Sequence, residues 1–304
     1  MISLVIPAYN EEENVAELHR RIKDVFLKIG KPFEIIFVEN GSQDRTYEIL
    51  ETLSPIKIIQ IRKNRGQALG IDAGLYAAKG DVIITMDADL QNDPEDIVRL
   101  LQKLDEGYDI AVGWRKDRHD SFYRRIHSQF ANWLSRRFTG LELHDHACPL
   151  RAYRKELLDG FTLFGELHIY LPAYLAFKGA RVAEIEVGHY ERTHGLSKHN
   201  FMRGVKTISD LVTVRFLATA TRPLLFFTGW ALISFFAGIV AIGIAIYLRL
   251  QGLTFHQTPL PTIATLFILV GVILVMMGFL AELMLRIYYQ GNKPYSVKRI
   301  HENS

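Results

Sequence analysis

Two aspartates, Asp87 and Asp89, stand two positions apart at the end of the apolar run DVIITMD. The tight turn that follows a buried strand can aim both carboxylates at one point, where they repel each other unless a cation sits between them. Hard oxygen ligands of this kind suit Mg²⁺ or Mn²⁺. A cation held there would in turn hold a diphosphate and neutralise the charge that grows on it as a group departs. The competing reading is an acidic turn that caps a helix, because Asn92-Asp93-Pro94-Glu95 has the composition of a helix start.

A second polar set is cationic. Arg115 follows the strand-like run YDIAVGW, and Arg124 lies four residues before Ser128, so those two project from one helical face. The planar fork of an arginine can bind a phosphate bidentately. Against that, Arg124, Arg125, Arg136 and Arg137 could simply decorate a helix that faces anionic lipid. His144 and His146 flank Asp145, but no second cluster stands at metal-ligand spacing, which leaves a zinc site with little support. Cys148, in the same stretch, reads as a small packing residue rather than a nucleophile.

Residues of this kind need a scaffold, and the sequence supplies one. Short β-branched runs alternate with longer amphipathic segments: ISLVIP, then Glu11 to Ile29; FEIIFVE, then Asp44 to Leu53; IKIIQI, then Gln67 to Lys79; DVIITMD, then Pro94 to Glu106; YDIAVGW, then Ser121 to Phe138. Such alternation predicts an α/β fold with a parallel sheet covered by helices on both faces. Ligands of open sheets bind beyond the carboxyl ends of the strands. Three polar clusters follow strands here: Pro7-Ala-Tyr-Asn10 with Glu11 to Glu13, Glu39-Asn-Gly-Ser-Gln-Asp44, and Asp87-Ala-Asp89-Leu-Gln91. After Arg154 the pattern predicts a helix near Glu166 to Lys178, a strand near Arg181 to Val187 and a polar loop from His189 to His199.

Hydrophobicity is segregated along the 304 residues. No formal charge occurs from Pro223 to Leu248 or from Pro259 to Ala281, and each stretch exceeds the roughly 20 residues that span a hydrocarbon core. Two transmembrane helices, about 223–249 and 259–285, are predicted, joined by the short connection Arg249 to Thr258 into a hairpin (222–290). Buried core helices are the alternative, but runs this uniformly apolar would have no solvent face. Arg215, Arg222, Arg286, Lys293, Lys298 and Arg299 flank the outer ends, which places the large domain, 1–199, and the tail, 291–304, on the cytoplasmic side of the cell membrane. Residues 200–221 have helical apolar spacing that suits the membrane interface. Residues 2–7 read as a strand rather than a leader. A single cysteine fits a reducing compartment, and a net charge of +3 gives no argument for nucleic acid.

Together, VIPAYNEEENV, VENGSQDRT, NRGQALGIDAGLYAAKGDVIITMDADLQNDPE and ERTHGLSKHN, with the terminal hairpin, resemble the inverting glycosyltransferases of the GT-A fold. Among them the chain is similar to the polyprenyl-phosphate branch, which includes dolichol-phosphate mannosyltransferase and bacterial undecaprenyl-phosphate sugar transferases. The resemblance implies that Pro7, Ala8, Tyr9 and Glu11 lie against the base and ribose of a nucleotide sugar, and that Glu39 accepts a hydrogen bond from the base. Aspartate is commoner in the family at Glu39 and at Asn40, which leaves uracil and guanine both open. Asp87 would neighbour the ribose and diphosphate, with Asp89 and Gln91 facing the metal. Arg115, Arg124 and Ser128 would hold the phosphate of a polyprenyl lipid acceptor. Asp145 is a candidate helper in catalysis beside Asp89 and Arg124. Arg151, Arg192, Ser197 and Lys198 would form a phosphate loop.

Two other functions compete. A processive polysaccharide synthase shares the sugar-nucleotide motifs, but its Gln-x-x-Arg-Trp pattern finds only Gln129-Phe-Ala-Asn132-Trp133, and one hairpin is small for a polymer channel. A non-catalytic tethered scaffold would not need a metal-diphosphate site beside a phosphate site. The hairpin leaves room for a homo-oligomer of unspecified size.

Overall fold

The structure is a computed structural model that describes residues 1–116, 135–136, 140–163, 167–190 and 223–291. Two units emerge, one holding the residues up to 190 and the other residues 223–291. The predicted interfacial helix and nearly all of the predicted helix from Ser121 to Phe138 lie outside the described residues, as does the tail from 292.

In the first unit, each predicted β-branched run becomes a strand: β1 (Ile2–Ala8), β2 (Phe33–Glu39), β3 (Lys57–Gln60), β4 (Val82–Thr85) and β5 (Ile110–Trp114). Helices α1 (Val15–Ile29), α2 (Thr46–Glu51), α3 (Gln67–Ala77) and α4 (Asp96–Asp105) intervene. The later segment gives β6 (Arg151–Arg154), α5 (Leu167–Phe177) and β7 (Val182–Glu186). The sheet order is β3-β2-β1-β4-β6-β5-β7. One expectation needs correction: the sheet is mixed, because β6 runs antiparallel to both β4 and β5.

Amphipathic packing explains the layers. Helix α1 buries Val15, Leu18, Ile22, Val25 and Phe26, residues three or four apart, in a core shared with β1, β2 and α4. Gly30 ends it at φ 67°, its N–H reaching the carbonyl of Phe26 at 3.1 Å. On the opposite face α3 lies so close to the sheet that a Cβ on Gly74 would overlap the side chain of Val5. Tyr153 and Tyr170 fill the core on that side.

The reversal at β6 matters for function. It pairs Arg151 with Thr85 of β4 and Val112 of β5, so the segment leading into β6 arrives at the same edge where the parallel strands end. Thr85 Oγ1 donates to the carbonyl of Pro149 at 2.9 Å, and Gly113 N–H donates to Leu150 at 3.0 Å. His146, in this segment, is buried, and its Nε2 has no hydrogen-bond partner among the described residues. Burial, with the nearby charge of Arg151, holds its imidazole down to about 4.

In the second unit, helices α6 (Pro223–Leu250) and α7 (Leu260–Gly291) form where the apolar runs predict, α7 extending a turn and a half beyond the expected end. Small residues meet between them: Ala231, Ser234, Gly238, Ala241 and Ala245 are buried on α6, and Ser234 Oγ donates to Phe267 O at 2.7 Å. Large apolar side chains instead face outward, including Leu232, Phe236, Leu266 and Met276, each at least 60% exposed. That is inverted relative to a water-soluble core, and both helices are long and apolar enough to cross a membrane.

Two stability outcomes follow from the inserted segment. A Cβ at position 113 would lie 2.8 Å from Cys148 Sγ and 3.0 Å from Val187 Cγ2, so Gly113→Ala is expected to cost about 1–3 kcal/mol in chemical denaturation. His146 keeps its imidazole neutral in the fold while an unfolded chain takes up the proton near pH 6.5. The unfolded state therefore binds more protons as pH falls, and the fold loses up to about 3 kcal/mol between pH 6.5 and 4. His146→Gln should remove that part of the acid sensitivity, measured as the pH dependence of the denaturation midpoint.

Candidate active site

The first two polar clusters fold into one knot. Asn10, at φ 56°, donates its N–H to Ser42 Oγ at 3.0 Å and accepts from Gln43 N–H at 2.8 Å. Glu11 N–H reaches Thr46 Oγ1 at 2.8 Å, and Asn14 Nδ2 donates to the Glu11 carboxylate at 2.6 Å. Pro7, Ala8, Tyr9 and Glu11 are thus held beside the end of β2, where Glu39 is buried and accepts Ser42 N–H at 2.5 Å. Asn40 faces the other way: its Nδ2 donates to Gly66 O at 3.0 Å. Gly41, at φ 72°, makes that approach possible, since a Cβ there would lie 2.7 Å from Asn64 N.

Asp87 and Asp89 follow β4 on this same edge. Asp89 is buried, and its Oδ1 accepts Gln91 N–H at 3.2 Å. Between them and Gln91 the chain passes through Leu90 at φ 58°, a conformation that costs a non-glycine residue about 1 kcal/mol. The turn is pinned by Tyr190, whose N–H reaches Gln91 O at 3.0 Å and whose hydroxyl donates to Asp93 Oδ2 at 3.0 Å. Gln91 Nε2 donates to Tyr190 O at 3.4 Å.

Burial, then the charge of Asp89, pushes Asp87 well above the usual carboxylate range, against the pull of Arg115 and Arg151. A cation would relieve this strain. Among the described residues no group of three or more His, Cys, Asp or Glu side chains could hold a metal alone. Two carboxylates, completed by diphosphate oxygens and water, is nevertheless an arrangement that Mg²⁺ or Mn²⁺ accepts, so the residues fit. The His144-Asp145-His146 stretch offers no rival: His144 Nδ1 pairs with Glu184 at 2.7 Å while its ring stacks on Trp114 at 4.3 Å, and His146 is buried.

The predicted phosphate ligands separate into different kinds. Arg115, at the end of β5, grips Asp145 through Nε at 2.7 Å and Nη2 at 3.0 Å. Its Nη1 makes no hydrogen bond among the described residues. Burial opposes the charge on Arg115, but the Asp145 carboxylate outweighs it and keeps the guanidinium protonated. Asp145 in turn also accepts Ala147 N–H at 3.1 Å. A carboxylate clamped this way orients an arginine better than it abstracts protons. Arg151 differs: each of its N–H groups meets a protein acceptor. Arg124, Ser128, Arg192, Ser197 and Lys198 lie outside the described residues. Cys148 is buried, and burial lifts its thiol to about 11, in keeping with a packing role.

Sequence reasoning missed Gln67. It opens α3 inside the quoted NRGQALG motif, and its Nε2 donates to Asp87 Oδ1 at 2.6 Å. Its place at a helix start on the carboxyl edge was the available signal. Glu184, which accepts the N–H groups of His144 and Asp145 at 2.8 and 3.1 Å, carried no signal beyond lying in a strand.

With this geometry in hand, the chain can be set beside known proteins. Residues 3–161 match the model of Glycosyl transferase family 2. Dodecaprenyl-phosphate galacturonate synthase of Rhizobium johnstonii is 35% identical over 99% of this chain and 93% of its own length. Undecaprenyl-phosphate 4-deoxy-4-formamido-L-arabinose transferase of Pseudomonas aeruginosa is 37% identical over 95% of this chain and 86% of its own. Among solved structures, glucosyl-3-phosphoglycerate synthase from Mycobacterium tuberculosis, in complex with Mn²⁺, UDP and glucosyl-3-phosphoglycerate, superposes with a TM-score of 0.56 over 70% of this chain and 79% of that one. At 20% identity that likeness bears on the GT-A fold alone. Matched by the family model over more than half its length, and by relatives over nearly all of it, the chain is a glycosyltransferase of Glycosyl transferase family 2.

Proposed function

We propose that this protein transfers a sugar, with inversion, from a UDP- or GDP-sugar to the phosphate of a polyprenyl lipid such as undecaprenyl or dolichyl phosphate. One observation carries the reading: Arg115, whose Nη1 makes no hydrogen bond among the described residues, lies within electrostatic reach of the half-buried Asp87 on a single sheet edge. An arrangement of that kind brings a site for a departing diphosphate beside a site for an incoming phosphate. The names of both curated relatives include a polyprenyl phosphate, which supports that acceptor.

The chemistry is a single displacement. A phosphate oxygen of the acceptor attacks the anomeric carbon, the bond from that carbon to the nucleoside diphosphate breaks, and its electron pair leaves with the diphosphate. A phosphate monoester with a second pKa of about 6 is already largely ionised at neutral pH, so no strong base is required. That suits the clamped state of Asp145, whose role becomes holding Arg115 in register with the acceptor. Asp87 and Asp89, with Gln91, would hold Mg²⁺ or Mn²⁺, which would supply neutralisation of the charge on the diphosphate. Pro7 to Glu11 and Glu39 would seat the nucleoside, with Arg124, Ser128, Arg192, Ser197 and Lys198 completing the phosphate sites. The hairpin would cross the cell membrane twice, leaving the catalytic unit and the C-terminus in the cytoplasm, and this face of the chain could assemble into a homo-oligomer.

The test is transfer itself. Purified protein in detergent, given undecaprenyl phosphate and individual radiolabelled UDP- and GDP-sugars, is expected to convert at least one label into organic-extractable product, and chelation of divalent cations should abolish the conversion. Asp89→Ala should lower the rate by about 100-fold or more, and full transfer by this variant at saturating metal would contradict the role given to Asp89. Arg115→Lys should raise the KM for the lipid about tenfold while leaving nucleotide affinity in Mn²⁺ unchanged. An unchanged lipid KM would remove Arg115 from the acceptor site.

A further inference from the structure

Arg151 is 4% exposed, and among the described residues no carboxylate pairs with it. Its five N–H groups meet five protein acceptors. Nε donates to Cys148 O at 2.7 Å; Nη1 to His168 O at 2.5 Å and to the Tyr153 hydroxyl at 3.5 Å; Nη2 to His146 O at 2.7 Å and Ile169 O at 3.2 Å. Burying a guanidinium without a counter-ion is expensive, and an apolar side chain would fill the same space at less cost. What an apolar residue could not do is tie together two separate stretches of backbone. The four carbonyl acceptors belong to the turn at 146–148 and to the first turn of α5, segments about 20 residues apart in the chain.

The turn it braces is the one that presents Asp145. From there the contacts run outward: Asp145 accepts Ala147 N–H and clamps Arg115 through both carboxylate oxygens. On its other side Cys148 packs against Gly113, one strand position from the arginine's own strand end. The donor-side groups hang on a different frame, with Glu39 held by Ser42, Asn40 by Gly66 and Asp87 by Gln67.

We infer that Arg151 is a positioning residue for the acceptor half of the site: by saturating the carbonyls of 146, 148, 168 and 169 it fixes the Asp145 turn, and through Asp145 it sets where Arg115 meets the acceptor phosphate. The inference rests on the reading of Arg115 as an acceptor-phosphate ligand. It predicts a split between the two substrates that a general structural role would not produce.

The full-length protein in detergent carries the test, with Arg151→Lys as the variant. Lysine keeps the buried charge that acts on Asp87, yet its donors radiate from one atom and cannot span both segments. The KM for undecaprenyl phosphate should rise about tenfold, while the affinity for Mn²⁺ with nucleoside diphosphate, measured by calorimetry, stays within about twofold. Loss of both affinities together, or no change in either, would overturn the inference. Should Arg151→Lys fail to fold, Arg151→Gln keeps a planar amide whose donors reach only one of the two segments; a rise of about tenfold in lipid KM supports the brace, and an unchanged lipid KM overturns it. The Arg115→Lys measurement keeps the two ideas apart. A lipid KM that moves with Arg115 but not with Arg151 sinks this inference alone, whereas one that ignores Arg115 sinks the reading beneath it.

Discussion

Charge crowded at the carboxyl edge of one sheet is the constraint around which this unit is built. Asp87 and Asp89 sit two positions apart in a partly buried turn, where burial and the charge of Asp89 raise the cost of ionising Asp87, while Arg115 and Arg151 lie close enough to oppose that effect. Water cannot screen such groups well, so each must be held by a specific partner. The structure meets this need unevenly. Arg115 is paired with the Asp145 carboxylate, Arg151 is enclosed by four backbone carbonyls and the Tyr153 hydroxyl, Asp87 accepts from Gln67, and Asp89 accepts from the backbone of Gln91. Under the proposed function, a metal-bound diphosphate and a second phosphate would add to these contacts.

Local strain accompanies this arrangement. Asn10 and Leu90 both adopt positive φ without being glycine, and both stand in the loops that follow strands on the active edge. Leu90 separates Asp89 from Gln91, and Tyr190 stitches its turn to the segment beyond β7. Such conformations persist where surrounding contacts over-determine them, and their concentration here accords with a site that was shaped at the expense of local stability.

Much of this was legible in the sequence. Five of the six parallel strands announced themselves by β-branched runs, and the clusters after β1, β2 and β4 fell on one edge because parallel strands end together. The antiparallel strand β6 was not legible, because RAYR carries two arginines in four residues and has none of the alternation that marks a half-buried strand. The partners of Arg151 were hidden for a related reason. An arginine near Asp145 has the composition of an anion ligand, and its partners in α5 are the backbone carbonyls of His168 and Ile169, which no side-chain type announces. Gln67 was overlooked because an amide has no charge to draw attention to it, although its hydrogen bond to Asp87 is among the shortest at the site.

Everything functional depends on a departing diphosphate and an incoming lipid phosphate meeting at this edge. Phosphorus resonance of the protein in detergent, loaded with nucleoside diphosphate and a short-chain polyprenyl phosphate, measures that meeting directly when Mn²⁺ is titrated in. Paramagnetic broadening of both phosphorus signals, stronger for the diphosphate and also present for the lipid, is the predicted result. A lipid signal that stays sharp while the diphosphate broadens would place the two substrates in separate sites and contradict the account.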